Sequence, residues 1–246
     1  MRSKTILLSI ALVGVYLLTA KLTGYFFPGH DVISYLWLAT GIVIVGPLLY
    51  GYQTLPALLV GCLLGYLVIG QPLDAAISGA IRHTAVVFVA VWLLKRHGRF
   101  DPSLASLNDY FLIFALAALV GALSSAVIGL QQIAGVPYPG NFPLLQRFGG
   151  NTLGLIITLP FVLVWRVPPR DWIKPAILRD AALILGLSFL VGQVVFLNWF
   201  SDSLGLVARG YWMFLLVTWA AVRLGLHGAV LVIAMTAIQG LIGAQQ

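Results

Sequence analysis

The chain has 246 residues, 61% of them hydrophobic and 9% charged, with 14 Lys and Arg against 7 acids for a net charge of +7. Mean hydropathy is +1.02, whereas an ordinary soluble domain carries about 25% charged residues, so this composition excludes a globule covered by water. The basic excess sits in short stretches between apolar runs instead of on one soluble face, which argues against nucleic acid as a partner.

In chain order, apolar runs long enough to cross a bilayer as helix fall at about 5–27, 33–50, 54–70, 73–95, 109–132, 143–165, 180–200, 208–223 and 226–243. The fold class expected is all-α, a polytopic membrane bundle of about nine transmembrane helices, or eight if one short run is re-entrant. Turn signals are Pro28-Gly29, Gln71-Pro72, Pro137-Tyr138-Pro139-Gly140 and Pro168-Pro169. The first run follows Arg2 and Lys4 and has no small-residue cleavage site after it, so it reads as a retained helix and not a signal peptide. With the N-terminus in the cytoplasm, the inner loops hold Arg2, Lys4, Lys95, Arg96, Arg99, Arg166, Arg170, Lys174, Arg179 and Arg223. Only Lys21, Arg82, Arg147 and Arg209 remain for outer loops or helices, an asymmetry that orients the chain and points to a bacterial inner membrane. A faint internal echo joins Leu36–Tyr66 to Tyr211–Leu241, each a short apolar segment, a glycine turn and a glycine-containing apolar segment.

Four stretches resemble the first type of membrane-associated sensor domain, the integral-membrane input module of bacterial histidine kinases and diguanylate cyclases. They are Leu36-Trp37-Leu38-Ala39-Thr40-Gly41; Trp92-Leu93-Leu94-Lys95-Arg96 followed by Phe100-Asp101-Pro102; Gly150-Asn151-Thr152-Leu153-Gly154 with Thr158-Leu159-Pro160; and Trp219-Ala220-Ala221-Val222-Arg223-Leu224-Gly225. They occur in family order over residues 33–243. Ala39, Val86 and Asn151 stand where the family commonly has Pro, Glu and Asp. The resemblance implies a single sensor domain over 1–246 that continues into a further helix and a cytoplasmic output domain. The odd helix count, which leaves the C-terminus outside, agrees with a chain cut short.

An ionisable group inside a span costs about 2.5–3.5 kcal/mol on insertion scales and so calls for a reason. Arg82 and His83 lie about nine residues into the fourth run. Arg147 and Asn151, four apart, share a face of the sixth, and Thr40 lies at a similar depth in the second. These five form the candidate ligand-binding layer, in the outer half of the bilayer. All seven acids are Asp and none sits mid-span, so the layer suits a small anionic or carbonyl-rich ligand. The plainer reading is that Arg82 reaches helix carbonyls or headgroups and Asn151 makes an interhelical hydrogen bond. Gly61 with Gly65, and Gly150 with Gly154, are spaced for close helix approach.

No catalytic residue, metal site or cofactor is expected. His30, His83, His97 and His227 are dispersed, Cys62 has no second cysteine, and Ser124-Ser125 has no triad partner. There is no phosphate-binding glycine motif. The function expected is a membrane sensory and anchoring module signalling to a cytoplasmic kinase or cyclase domain. Its other expected partners are the lipid bilayer, a membrane protein and a second copy in a homodimer. The alternative is a transporter or the substrate-binding component of an importer.

Overall fold

Hydrocarbon offers the backbone no hydrogen-bond partner, so a segment crossing it closes its bonds internally, as helix. A computed structural model of the chain describes residues 2–26, 39–133, 144–199 and 211–243. Among these residues there are eight α-helices and no strand: α1 (Arg2–Phe26), α2 (Ala39–Tyr50), α3 (Leu55–Val68), α4 (Leu73–His97), α5 (Leu107–Ile133), α6 (Leu144–Trp165), α7 (Pro175–Phe196) and α8 (Trp212–Gly243). Five of them, α4 to α8, are long and apolar enough to cross a membrane; Ser9–Lys21, Ala39–Tyr50 and Tyr52–Val68 are shorter apolar helices. The chain is a multi-pass helical protein. The expected turns at Pro28-Gly29 and Pro137–Gly140, and the starts of the runs at 33 and 208, lie outside the described residues.

The chain divides into two compact units, Met1–Leu159 and Pro160–Gln246. In the first, α3 packs between α1 and α4, α4 also packs on α5, and α2 lies against α1 and α4. The α1–α3 crossing is close because Gly61 and Gly65 of α3 meet Val13, Tyr16 and Ala20 of α1; a Cβ at Gly65 would collide with the Tyr16 ring. α2 and α3 are joined through Gly51 (φ 90°, ψ 172°), a conformation essentially restricted to glycine. The Gly51 carbonyl accepts from the Thr54 hydroxyl at 2.9 Å and the Thr54 amide at 3.2 Å, and Pro56 then opens α3 without needing an amide partner.

The ends of α4 and α5 follow from helix-end chemistry. Asp74 occupies the first turn of α4, Lys95, Arg96 and His97 its last, and Gly98 closes it at φ 67°. That arrangement complements the helix dipole and frees the chain to leave. Ser106 and Asp109 then form a reciprocal cap on α5. The Asp109 carboxylate accepts from the Ser106 amide (3.0 Å) and hydroxyl (2.8 Å), and the Asp109 amide reaches the Ser106 hydroxyl at 3.4 Å. The same carboxylate accepts from the Asp101 amide at 2.8 Å, while Asp101 binds the Ser103 amide and hydroxyl. Asp109 is only 1% exposed, so one carboxylate organises the whole connection between α4 and α5.

In the second unit α7 packs along α8. α8 is two helices, 212–224 and 226–243, broken at Gly225 (φ 67°, ψ −156°). Met213, Leu216, Ala220 and Leu224 recur at helical spacing and share a core with Ala181, Ile184 and Val232. Arg223 pairs with Asp180, its Nε donating at 3.0 Å. Trp165 stacks edge-on against Trp172 and His227, with centroids 5.4 Å apart in each case, and His227 Nε2 lies 2.7 Å from the Val167 carbonyl.

Asp109→Ala removes acceptors from three donors in a nearly sealed site and is expected to destabilise the protein by about 2–3 kcal/mol, with Ser106→Ala costing about 1 kcal/mol. Thermal unfolding in detergent or nanodiscs measures both; equal, negligible shifts would contradict the role given to this cap.

Candidate functional site

The five polar residues expected to matter occur in two groups, each tied by hydrogen bonds, and both groups lie in the first unit. The first group joins α2 to α6. Thr40, 1% exposed, donates through its hydroxyl to Asn151 Oδ1 at 3.0 Å. Asn151 Nδ2 in turn donates to the Arg147 carbonyl, one turn back along α6, at 3.0 Å. The approach is possible because Gly41 faces Thr158 and Leu159, where any side chain would overlap the Thr158 hydroxyl and the Leu159 amide. Thr158 satisfies its own hydroxyl on the Gly154 carbonyl at 2.6 Å. On the other side of α6, Thr152 donates to the Ala117 carbonyl of α5 at 3.2 Å, and Ser125 of α5 donates to the Leu144 carbonyl at 3.0 Å. Asn151 is thus a structural link between α2 and α6, as its plainer reading anticipated.

The second group lies where α1, α3 and α4 meet. Arg82 is nine residues into α4, about 13 Å along its axis, and is 9% exposed. Its Nη2 donates to the Tyr66 hydroxyl of α3 at 3.4 Å. Tyr66 is admitted by Gly79, one turn before Arg82, where a Cβ would come within 2.8 Å of the Tyr66 ring. Next to Arg82, the His83 ring meets the Tyr16 ring of α1 edge-on, with centroids 6.1 Å apart. The His83 Nε2 is sealed from solvent and has no hydrogen-bond partner among the described residues. Tyr16 is 1% exposed, and the fully buried thiol of Cys62 sits beside its hydroxyl. Tyr16 also borders a small apolar gap, lined by Leu12, Val43, Pro47, Leu58 and Gly61 among others.

Tyr16, Cys62 and Tyr66 belong to the site and were absent from the sequence-based set. Their signal was present: Cys62 and Tyr66 are four apart on α3, interleaved with Gly61 and Gly65, so a polar edge runs beside the small-residue face that meets α1. Tyrosine inside an apolar run passes for a hydrophobic residue, which hides that edge.

At the far end of α4, Lys95 donates to the Pro47 carbonyl near the end of α2 at 2.9 Å and lies 4.8 Å from the centre of the Tyr52 ring; Tyr52 packs on Phe88. Arg96 stacks over Trp92 at 5.1 Å. The lysine meets a carbonyl that also accepts the Gly51 amide, at 3.2 Å, so it clamps the α2–α3 turn. Among the described residues no cluster of three or more His, Cys, Asp or Glu could hold a metal.

No curated protein and no solved structure matches the chain. The sequence profile of the MASE1 family matches residues 7–246, nearly the whole length. The stretches that carried the resemblance take part in the ties just described: Thr40 and Asn151 bond each other, Lys95 meets Pro47, Asp101 meets Asp109 and Arg223 meets Asp180. The chain belongs to the MASE1 family, the membrane-associated sensor domains of bacterial signalling proteins, which are sensory and not catalytic modules.

Proposed function

We propose that this sensory domain crosses the inner membrane nine times with its N-terminus in the cytoplasm, binds a small anionic or carbonyl-rich ligand at the Arg82 cluster, and passes the signal to a cytoplasmic kinase or cyclase domain. The observation that carries this reading is the placement of two polar contacts on one continuous helix. Arg82 and His83 sit among Tyr16, Cys62 and Tyr66, and Lys95 of the same helix holds the α2–α3 turn. Thirteen residues separate Arg82 from Lys95, about 20 Å of helix. A ligand that favours one packing of α4 over another shifts the population of both contacts together. We place a second ligand contact at Arg147 and the Thr40–Asn151 tie between α2 and α6, with Asn151 in place of the family's usual Asp favouring a ligand that does not require a carboxylate there.

The importer reading relied on short paired helices and glycine-rich segments. The glycine breaks at Gly51 and Gly225 close helix pairs, whereas transporter sites are built from helices unwound at mid-membrane. That difference favours sensing.

Two experiments test the proposal. A reporter active only in the cytoplasm is expected to be active when fused after Arg99 or Lys174 and silent after Pro139; activity after Pro139 would overturn the orientation. For the site, the purified protein in nanodiscs is screened by thermal shift against small carboxylates, phosphates and sulfonates. A ligand at about a hundred times its Kd contributes about 2.7 kcal/mol, a rise of several degrees. Arg82→Ala is expected to fold with little loss, because it removes a costly charge along with a contact, and to abolish the shift. Arg82→Lys is expected to keep part of it, since an ammonium lacks the guanidinium fork. A ligand shift that survives Arg82→Ala would place binding elsewhere.

A further inference from the structure

The two glycine breaks share more than their residue type. Gly51 and Gly225 both adopt positive φ with ψ near ±180°, and each joins a short helix to a following longer one. In each unit the helix after the glycine runs beside an earlier helix in the same direction. In the first, Gly61 meets Val13 and Gly65 meets Ala20; in the second, Gln239 donates to the Phe189 carbonyl at 2.8 Å and Gly243 abuts Phe196. The partners are separated by about 48 residues in both cases. The helix before each glycine also touches the first half of that same earlier helix: Gly46 lies against Leu12, and Arg223 pairs with Asp180.

The offset that carries Gly51 onto Gly225 also aligns the remaining landmarks. It takes Arg2, the start of α1, to within a residue of Pro175, the start of α7, and Val68, the end of α3, to within a residue of Gly243. It also takes Gly65 onto Gln239. Around that crossing each unit sets a glycine of one helix against a larger side chain of the other, two residues out of register between the units. Gly65 of α3 accommodates Tyr16 of α1, whereas Gln239 of α8 is accommodated by Gly192 of α7, where a Cβ would overlap the glutamine amide. With the glycine on opposite helices in the two units, little sequence identity is left at this crossing, which is why the echo in the sequence is faint.

Charge sets the direction of each unit. Arg2 and Lys4 lead α1; Arg166, Arg170 and Lys174 lead α7, with Arg179 in its second turn. By the positive-inside rule both first helices enter from the same face. We infer that residues 2–68 and 175–243 are two copies of one three-helix unit in the same membrane orientation, a parallel repeat whose Gly51 and Gly225 turns both open to the cytoplasm. Each turn is held by side-chain ties: Lys95 of α4 on the Pro47 carbonyl, and Arg223 on Asp180 with His227 on the Val167 carbonyl. The cytoplasmic assignment rests on the orientation proposed above; the repeat itself does not.

Single cysteines at Gln53 and Leu226, both exposed and both next to a turn, test this. Cys62 stays in place as an internal control because it is fully buried. Labelling uses a membrane-impermeant maleimide on spheroplasts and on inside-out vesicles. Both variants are expected to label about tenfold more in inside-out vesicles. Labelling from opposite faces, or no labelling of Leu226→Cys from either face, overturns the repeat. Labelling of both from the outer face supports the repeat and overturns the orientation. If either variant fails to assemble, an experimental structure decides: residues 2–68 superimpose on 175–243 with the two glycines coincident, or the inference fails.

Discussion

Helices in hydrocarbon gain nothing from burying apolar surface against one another, because lipid tails are as apolar as leucine, so they hold together by close packing and by polar ties. In this chain that constraint takes one recurring form, a glycine opposite a side chain with a polar tip. Gly65 receives Tyr16, Gly79 receives Tyr66, Gly41 receives Thr158 and Gly192 receives Gln239. Each glycine lets two backbones approach, and the group it admits then hydrogen-bonds or lies against other polar atoms. Tyr66 accepts from Arg82, Thr158 donates to the Gly154 carbonyl and Gln239 donates to the Phe189 carbonyl. Removing the small residue would therefore cost the packing and the polar contact together. The positions that define the fold are the same ones that deliver polar groups into its interior.

This coupling explains why part of the architecture could be read directly from the sequence and part could not. The runs expected at 73–95, 109–132 and 143–165 match α4, α5 and α6 to within two residues, because their apolar windows are long and end in charged or turn residues. The run expected at 180–200 is displaced from α7, which begins at Pro175. Hydropathy stops at Arg179 and leaves out the first turn from Pro175, and the pairing of Asp180 with Arg223 is what lets a charged start belong to the helix. Composition alone cannot supply that tertiary partner. The Ser106-x-x-Asp109 spacing suits a helix cap, yet nothing local to it shows that the Asp101 amide shares the Asp109 carboxylate.

The polar layer shows the same division. Distance along a helix follows from residue counting, since it needs only the helical rise. Which residues at a given depth face each other depends on helix rotation, and rotation is set by the glycine contacts. Gly79 turns α4 so that Arg82 meets Tyr66, and Gly41 turns α2 so that Thr40 meets Asn151. Tyr16 and Cys62 enter the cluster for the same reason, through Gly61 and Gly65. A reading that weighs only charges finds Arg82 and His83 and passes over the tyrosines that surround them.

A sensor needs a stable element with two accessible arrangements, and packing of this kind supplies it. A tightly interdigitated crossing cannot slide by a fraction of a residue without losing its contacts, so helices joined in this way move between discrete seats. α4 is the helix best placed to do so. Its middle touches α3 through Tyr66 and α1 through Tyr16, and its end holds the Pro47 carbonyl through a single lysine. The Lys95 contact is one charge-assisted hydrogen bond, worth about 1.5–3 kcal/mol, plus a cation–π contact of about 0.5–1 kcal/mol at an exposed site. A difference of 2.7 kcal/mol between two packings changes their ratio about a hundredfold. On the proposed reading, the Lys95 clamp is comparable in strength to the bias that a modest ligand at the Arg82 cluster would supply. Such a clamp would define a resting state that a bound ligand overrides.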